Sequence, residues 1–248
     1  MTAAAAPPRQ RVLAQARFET ATLLRNGEQL LVSVVLPALA LAGLAYSSAP
    51  SLGAGRRIDL AVPGVLALAV VSTAFTGQAI ATGFDRRYGV LRLLGITPLG
   101  RGGLLGGKAL AVLAVVAAQY AVLAALGLAL GWQPRPAGIP AALVTALLGT
   151  WAFVALALTL AGTLRAEAVL ALANLVWVLL LALGVLVPTA RLPHALGVAA
   201  RILPSGALGD GLREAFVHGT PPLSQWLVLV LWGVGGTLAA RRWFRWSD

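Results

Sequence analysis
Charge is the scarcest commodity in these 248 residues. Asp, Glu, Lys and Arg together make up 11% of the chain, where a soluble globular domain carries about 25%. The acids number only 8 beside 19 Lys and Arg. Cysteine is absent, which excludes disulfides, thiolate metal sites and a cysteine nucleophile. His194 and His218 are the whole imidazole supply. Both fall in a segment rich in proline and glycine near Asp210 and Glu214, where two solvated histidines are the simpler reading and a metal cluster the sharper one. There is no HExxH helix, no GxSxG elbow and no pair of acids at helical spacing inside an apolar run. An enzyme built on this chain has no visible catalytic centre.

What is present is hydrocarbon. Hydrophobic residues reach 59% and mean hydropathy is +0.86, so the chain reads as an all-α polytopic membrane protein. Apolar runs at 29–47, 60–83, 108–131, 140–164, 168–187 and 223–240 are each near or above the roughly 20 residues that a helix needs to cross about 30 Å of hydrocarbon. The first run exceeds a signal-peptide core and five similar runs follow it, which predicts a retained span. Pro37 falls within it and predicts a kink. Only Arg165, Ala166 and Glu167 separate the fourth and fifth runs, so these form a tight helical hairpin.

A net charge of +11 would suggest nucleic acid in a soluble chain. Here the basic residues border apolar runs, which predicts contact with anionic membrane lipids and no nucleic acid. With six spans both termini share a side. That side collects Arg9, Arg11, Arg17, Arg25, Arg86, Arg87, Arg92, Arg101, Lys108, Arg165, Arg241, Arg242 and Arg245; the other has Arg56, Arg57, Arg135, Arg191, Arg201 and Arg213. Thirteen cations against six predict cytoplasmic termini in the cell membrane. Trp132 and Trp226 are then expected at the outer interface, and Trp243 and Trp246 at the inner one.

Residues 1–28 form an N-terminal tail and an interfacial helix, ahead of a transmembrane domain at 29–248. On a helix Val12, Ala16, Thr20 and Leu23 share one face, while Gln15, Glu19, Thr22 and Arg25 point away; Phe18 breaks the pattern. Asn26 and Gly27 predict a corner before the first span. The polar stretch at 84–108, FDRRYGVLRLLGITPLGRGGLLGGK, holds five cations against Asp85. Its first half predicts a short surface helix from Arg86 to Leu94, with Tyr88, Leu91 and Gly95 on one side, ended by Ile96, Thr97 and Pro98. Residues 188–222 are too long for a turn and too broken by Pro193, Pro204, Gly206, Gly209 and Gly211 for a span. Their apolar pieces, 195–203 and 212–217, suit re-entrant or interfacial helices on the outer side, the alternative being a surface loop.

Gly102, Gly107 and Lys108 match P-loop spacing until Ala109 replaces the magnesium-binding hydroxyl. No strand precedes them, and the pairs Gly102/Gly106 and Gly103/Gly107 fit close helix contact better. Every charged residue falls at or outside a span end, whereas ion-coupled transporters need ionisable groups within the membrane. The intramembrane polar residues Ser72, Thr76, Gln78, Gln119 and Asn174 either face a translocation path or bond across helices. If the chain transports, its energy arrives from outside the membrane.

Taken in order, an interfacial helix, LLRNGEQLLVSVVLPALAL entering the first span, six spans, FDRRYGVLRLLGITPLGRGGLLGGKAL after the second, and LPSGAL before the last resemble the permease subunit of type-2 ABC transporters across nearly the whole chain. The resemblance implies a cytoplasmic coupling loop at 84–107 that docks on a separate ABC ATPase subunit, with Asp85, Arg86, Arg87, Tyr88 and Arg92 in its coupling helix. It assigns Arg17, Glu19 and Arg25 to a second ATPase contact and the outer segment to a lid. It further implies that this chain is not an enzyme and holds no cofactor, ATP and Mg being bound by the partner ATPase. A second permease copy or a related permease completes the path, and the expected cargo is an exported amphipathic or hydrophobic drug, lipid, glycan or peptide. A non-transporting assembly or scaffold protein that binds a cytoplasmic partner through the same loop is the alternative. A lone channel is disfavoured by the lack of a filter signature.

Overall fold
The computed structural model describes residues 6–25, 27 and 31–246. The expected corner residue Asn26 and the first two residues of the expected first span lie outside them. Ten helices follow one another among the described residues. They are α1 (Pro8–Arg25), α2 (Ser33–Tyr46), α3 (Arg57–Arg87), α4 (Val90–Gly95), α5 (Gly100–Ala129), α6 (Pro136–Thr163), α7 (Ala166–Val185), α8 (His194–Ile202), α9 (Pro204–Arg213) and α10 (Leu223–Trp243). Five of them, α3, α5, α6, α7 and α10, are long and apolar enough to cross a membrane. The sixth run yields only the shorter apolar helix α2.

Burial ranks the helices. The apolar window of α3 is 89% buried and that of α10 only 17%, so α3 is the axis and α10 lies at the periphery. In hydrocarbon, apolar area gains little by leaving lipid, and close contact between helices comes from small residues. The glycines supply it here. A Cβ on Gly233 would stand 2.7 Å from the Trp151 ring, one on Gly149 2.6 Å from Leu208, and one on Gly127 2.9 Å from Val62. Phe75 and Phe153 meet edge to face, 6.2 Å between centroids, where α3 crosses α6.

Charged and backbone groups tie the loops at the two ends. At one end Arg56 donates to the Gly131 carbonyl at 2.5 Å and the Gln133 amide to Asp59 at 3.0 Å. At the other, the Arg245 amide donates to the Gly162 carbonyl at 3.0 Å, and Arg101 lies 4.8 Å from the Trp246 ring centroid. Helix α1 packs along the first turns of α5 at that second end, through Gly103 and Gly107.

The structure corrects several expectations. α5 begins at Gly100, not at Lys108, so the glycine-rich stretch once comparable to a P-loop is helix. Asp85, Arg86 and Arg87 are the last turn of α3; the separate surface helix is only Val90–Gly95, because Gly89 takes φ +73° and reverses the chain. Gln15 and Glu19 do not point away from the bundle: Gln15 sits where a Gly107 Cβ would be, and Glu19 pairs with Lys108. Trp132 is buried against Phe216, 5.0 Å between centroids, and is no interfacial belt residue.

The 188–222 segment also differs. Its second helix starts at Pro204, not at Leu212, and runs on through a π turn to His218. The glycines read as breakers are the contact surface: Cβ atoms on Gly206 and Gly209 would collide with the backbone of Ala200 and Gly184. α7 is broken at Leu183 and at Gly184, where φ is +91°. Buried Arg213 covers the break, donating at 2.7 Å to both the Val185 and Leu186 carbonyls and pairing with Asp210 at 3.1 Å. One guanidinium thus satisfies carbonyls that the broken helix leaves without partners.

Candidate functional site
The segment around 84–108 is mounted on a rigid base. Lys108 is 3% exposed, and its Nζ lies 2.6 Å from Asp85 Oδ2 and 2.8 Å from Glu19 Oε1. One ammonium therefore joins the end of α3, the start of α5 and the middle of α1. Arg86, also buried, donates to the Leu164 carbonyl at the α6–α7 hairpin, and Arg87 pairs with Glu167 of the same hairpin. Four chain segments meet through these contacts.

On this base stands an exposed surface. Tyr88 is 69% exposed and stacks on Phe84, 6.1 Å between centroids, with the Arg87 guanidinium 5.9 Å from its ring. Beyond Gly89, α4 turns Leu91 inward, wholly buried, and leaves Arg92, Leu93 and the following Ile96 exposed. An aromatic ring, two arginines and two aliphatic side chains are thus exposed within ten residues, the composition of a protein-docking patch. Between this region and α1 lies a groove of about 500 Å³, lined by Arg11, Ala14, Gln15, Leu94, Thr97 and Leu99.

The expected site residues therefore divide. Tyr88 and Arg92 reach the exposed face, Arg87 is exposed while held by Glu167 of the base, and Asp85, Arg86 and Glu19 point into the base. Arg17 and Arg25 are exposed on α1. Leu93 and Ile96 were not singled out beforehand, although an apolar pair within a basic loop is a usable signal. Lys108 and Glu167 were missed as supports because their partners lie 23 to 89 and 80 residues away along the chain.

The polar span residues make separate contacts. Gln119 donates at 2.8 Å to both the Ser33 carbonyl and Thr73 Oγ, tying α5 to α2 and α3. Ser72 accepts from Trp177 Nε1 at 2.9 Å, and Gln78 donates to Thr82 Oγ at 2.9 Å within α3. Thr76 is buried beside them with its hydroxyl unpaired. Asn174 stands apart, exposed on α7 among Leu170, Leu175 and Val178, its amide donating only to the Leu170 carbonyl at 3.0 Å.

Two comparisons bear on what such a bundle does. Residues 31–241 match the family model described as ABC-2 family transporter protein. A search among curated proteins finds no match.

Proposed function
The chain belongs to the ABC-2 family of transporter proteins as a multi-pass, non-catalytic membrane permease, and from that premise we propose that the face carrying Arg87, Tyr88, Arg92, Leu93 and Ile96 docks on a separate ABC ATPase subunit. The observation that carries this reading is the contrast between face and base. The face is exposed, mixed aromatic, cationic and aliphatic, while the residues beneath it are locked to α1, α5 and the α6–α7 hairpin. A push on α4 is thereby delivered to several helices as a rigid-body displacement. ATP and Mg belong to the partner, and the permease converts its closure into alternating access. α1, with Arg17 and Arg25 outward, is a second contact.

Several further features belong to the same reading. The run at 29–47 is read as the sixth crossing, of which α2 is the described helix. Both termini face the cytoplasm, since α1, the 84–108 segment, the α6–α7 hairpin and the C-terminal turn gather at one end of the bundle with thirteen of the cations. The outer helices α8 and α9 form a lid. A second permease subunit completes the path, and exposed Asn174 supports this, because an amide facing hydrocarbon calls for a protein partner. The spans present few polar groups, which favours an amphipathic or hydrophobic cargo.

Co-expression with a candidate ATPase, co-purification, and ATP turnover with and without this subunit test the docking directly. Stable co-purification with altered turnover is expected; an ATPase that neither binds nor responds would refute the assignment. Orientation is tested separately with cysteines in this cysteine-free chain. Ala54→Cys should react with an impermeant thiol reagent in intact cells and Thr97→Cys should not; labelling at Thr97 would invert the topology and remove the docking surface from the cytoplasm.

A further inference from the structure
A cleft of about 420 Å³ opens on the side of the bundle at the end that carries the 84–108 segment. Its walls are apolar: Leu105 and Ala109 of α5, Val154 and Leu158 of α6, and Ala240 of α10. The polar side chains along these walls are already engaged, since Trp151 Nε1 donates to Thr237 Oγ at 3.2 Å and the Thr237 hydroxyl donates to the Gly233 carbonyl at 2.7 Å. A buried water needs two to four polar partners, and these walls have none to spare. The neighbouring faces of α5 and α10 expose Leu110, Leu231 and Leu238, so the opening looks into hydrocarbon. An apolar chain is what fills it.

The end of the cleft has a different chemistry. Phe244 and Trp246 bound it, their rings 5.1 Å apart between centroids, and Phe244 rests against Gly162. Arg101 packs on the outer side of Trp246, 4.8 Å from its centroid, while Arg241 lines the cleft itself and stays exposed with Arg242 beside it. No acid is among the lining residues. A ligand with one anionic end and one apolar end matches both halves. Other occupants fit worse: a second copy laid over the cleft by two-fold symmetry would bring Arg241 toward like charge, and an extended peptide would carry backbone groups that nothing here can satisfy.

We propose that this cleft is the site of a resident anionic phospholipid, with one acyl chain between α5 and α10 over α6 and the phosphate held by Arg241. Such basic pockets between membrane helices select anionic headgroups, each cation near the surface contributing about fivefold in affinity. The site depends on neither the ATPase nor the coupling assignment.

The test is native mass spectrometry of the purified protein titrated with phosphatidylglycerol or phosphatidylcholine. The wild type should retain phosphatidylglycerol preferentially, one molecule per chain. Arg241→Gln, on an exposed turn, should lower that retention about fivefold, and Ala109→Phe, which fills the cleft, should abolish it. Equal retention of the two lipids by the wild type, or phosphatidylglycerol binding unaltered in both variants, overturns the proposal. Should Ala109→Phe not purify as a folded protein, Arg241→Gln alone decides.

Discussion
Lys108→Met removes one charge and keeps the length of the side chain, yet it should release a whole helix. The ammonium is 3% exposed and sits between Asp85, 32% exposed, and Glu19, 17% exposed. Removing one partner of a buried ion pair costs about 3 to 5 kcal/mol, because the remaining charge keeps its desolvation without its compensation. Asp85 is the more exposed of the two acids and can turn toward water, which argues for the lower end, about 3 kcal/mol. That corresponds to roughly a hundredfold in the docking equilibrium of α1. A cysteine at Ala16, a buried position on the inner face of α1, reports it: thiol labelling should accelerate by up to that factor in the Lys108→Met background. Adding Glu19→Gln and Asp85→Asn should restore slow labelling, since neutral amides leave no uncompensated charge. Unchanged labelling in the single variant, or a triple variant as open as the single, would refute the assignment of α1 docking to this triad.

Other perturbations follow from the same contacts. Gly107→Val should weaken α1 packing by about 1 to 3 kcal/mol, its Cβ falling 2.7 Å from Gln15 Cγ, while Gly106→Ala, with only Val12 at 3.8 Å, should be neutral; labelling at position 16 reads both. Arg213→Gln strips two carbonyls of the broken α7 of their donor and should lower stability by about 3 kcal/mol, seen as faster proteolysis at 188–222. Asn174→Leu should reduce self-association in membranes about fivefold, and Asn174→Cys should form disulfide-linked pairs under oxidation. Pairing through Leu231→Cys instead would move the interface to α10.

Much of this architecture is written in local pattern. Five of the six apolar runs become long helices, only Leu164 and Arg165 separate α6 from α7, and Pro98 does follow the end of α4. Gly103 and Gly107 do permit close approach of another helix. What local pattern misses is decided by partners far along the chain. Glu19 looks solvent-facing on a helical wheel because Lys108 is 89 residues away, and Arg86 looks like one more loop cation because the Leu164 carbonyl that receives it is 78 residues away. Glycine misleads in both directions. Gly206 and Gly209 read as helix breakers, yet they are helical because a neighbouring backbone presses on each. Gly184, inside an unbroken apolar run, takes φ +91° and interrupts α7. The 84–108 segment was legible as a basic loop, but its division into an exposed face and a locked base was not.

The central claim is that the exposed face, and not the mere positive charge of the segment, engages an ATPase. Its most direct test combines Tyr88→Ala with Arg92→Lys, which removes the exposed ring and the guanidinium fork while keeping the net charge. Lysine cannot reproduce bidentate contacts, and loss of an aromatic anchor at an interface costs about 2 kcal/mol or more. The variant should insert and purify as the wild type does, lose co-purification with the ATPase by more than about tenfold, and no longer alter its ATP turnover. Wild-type association and turnover in that variant would show that the segment only orients the chain in the membrane, and the coupling surface would have to lie elsewhere.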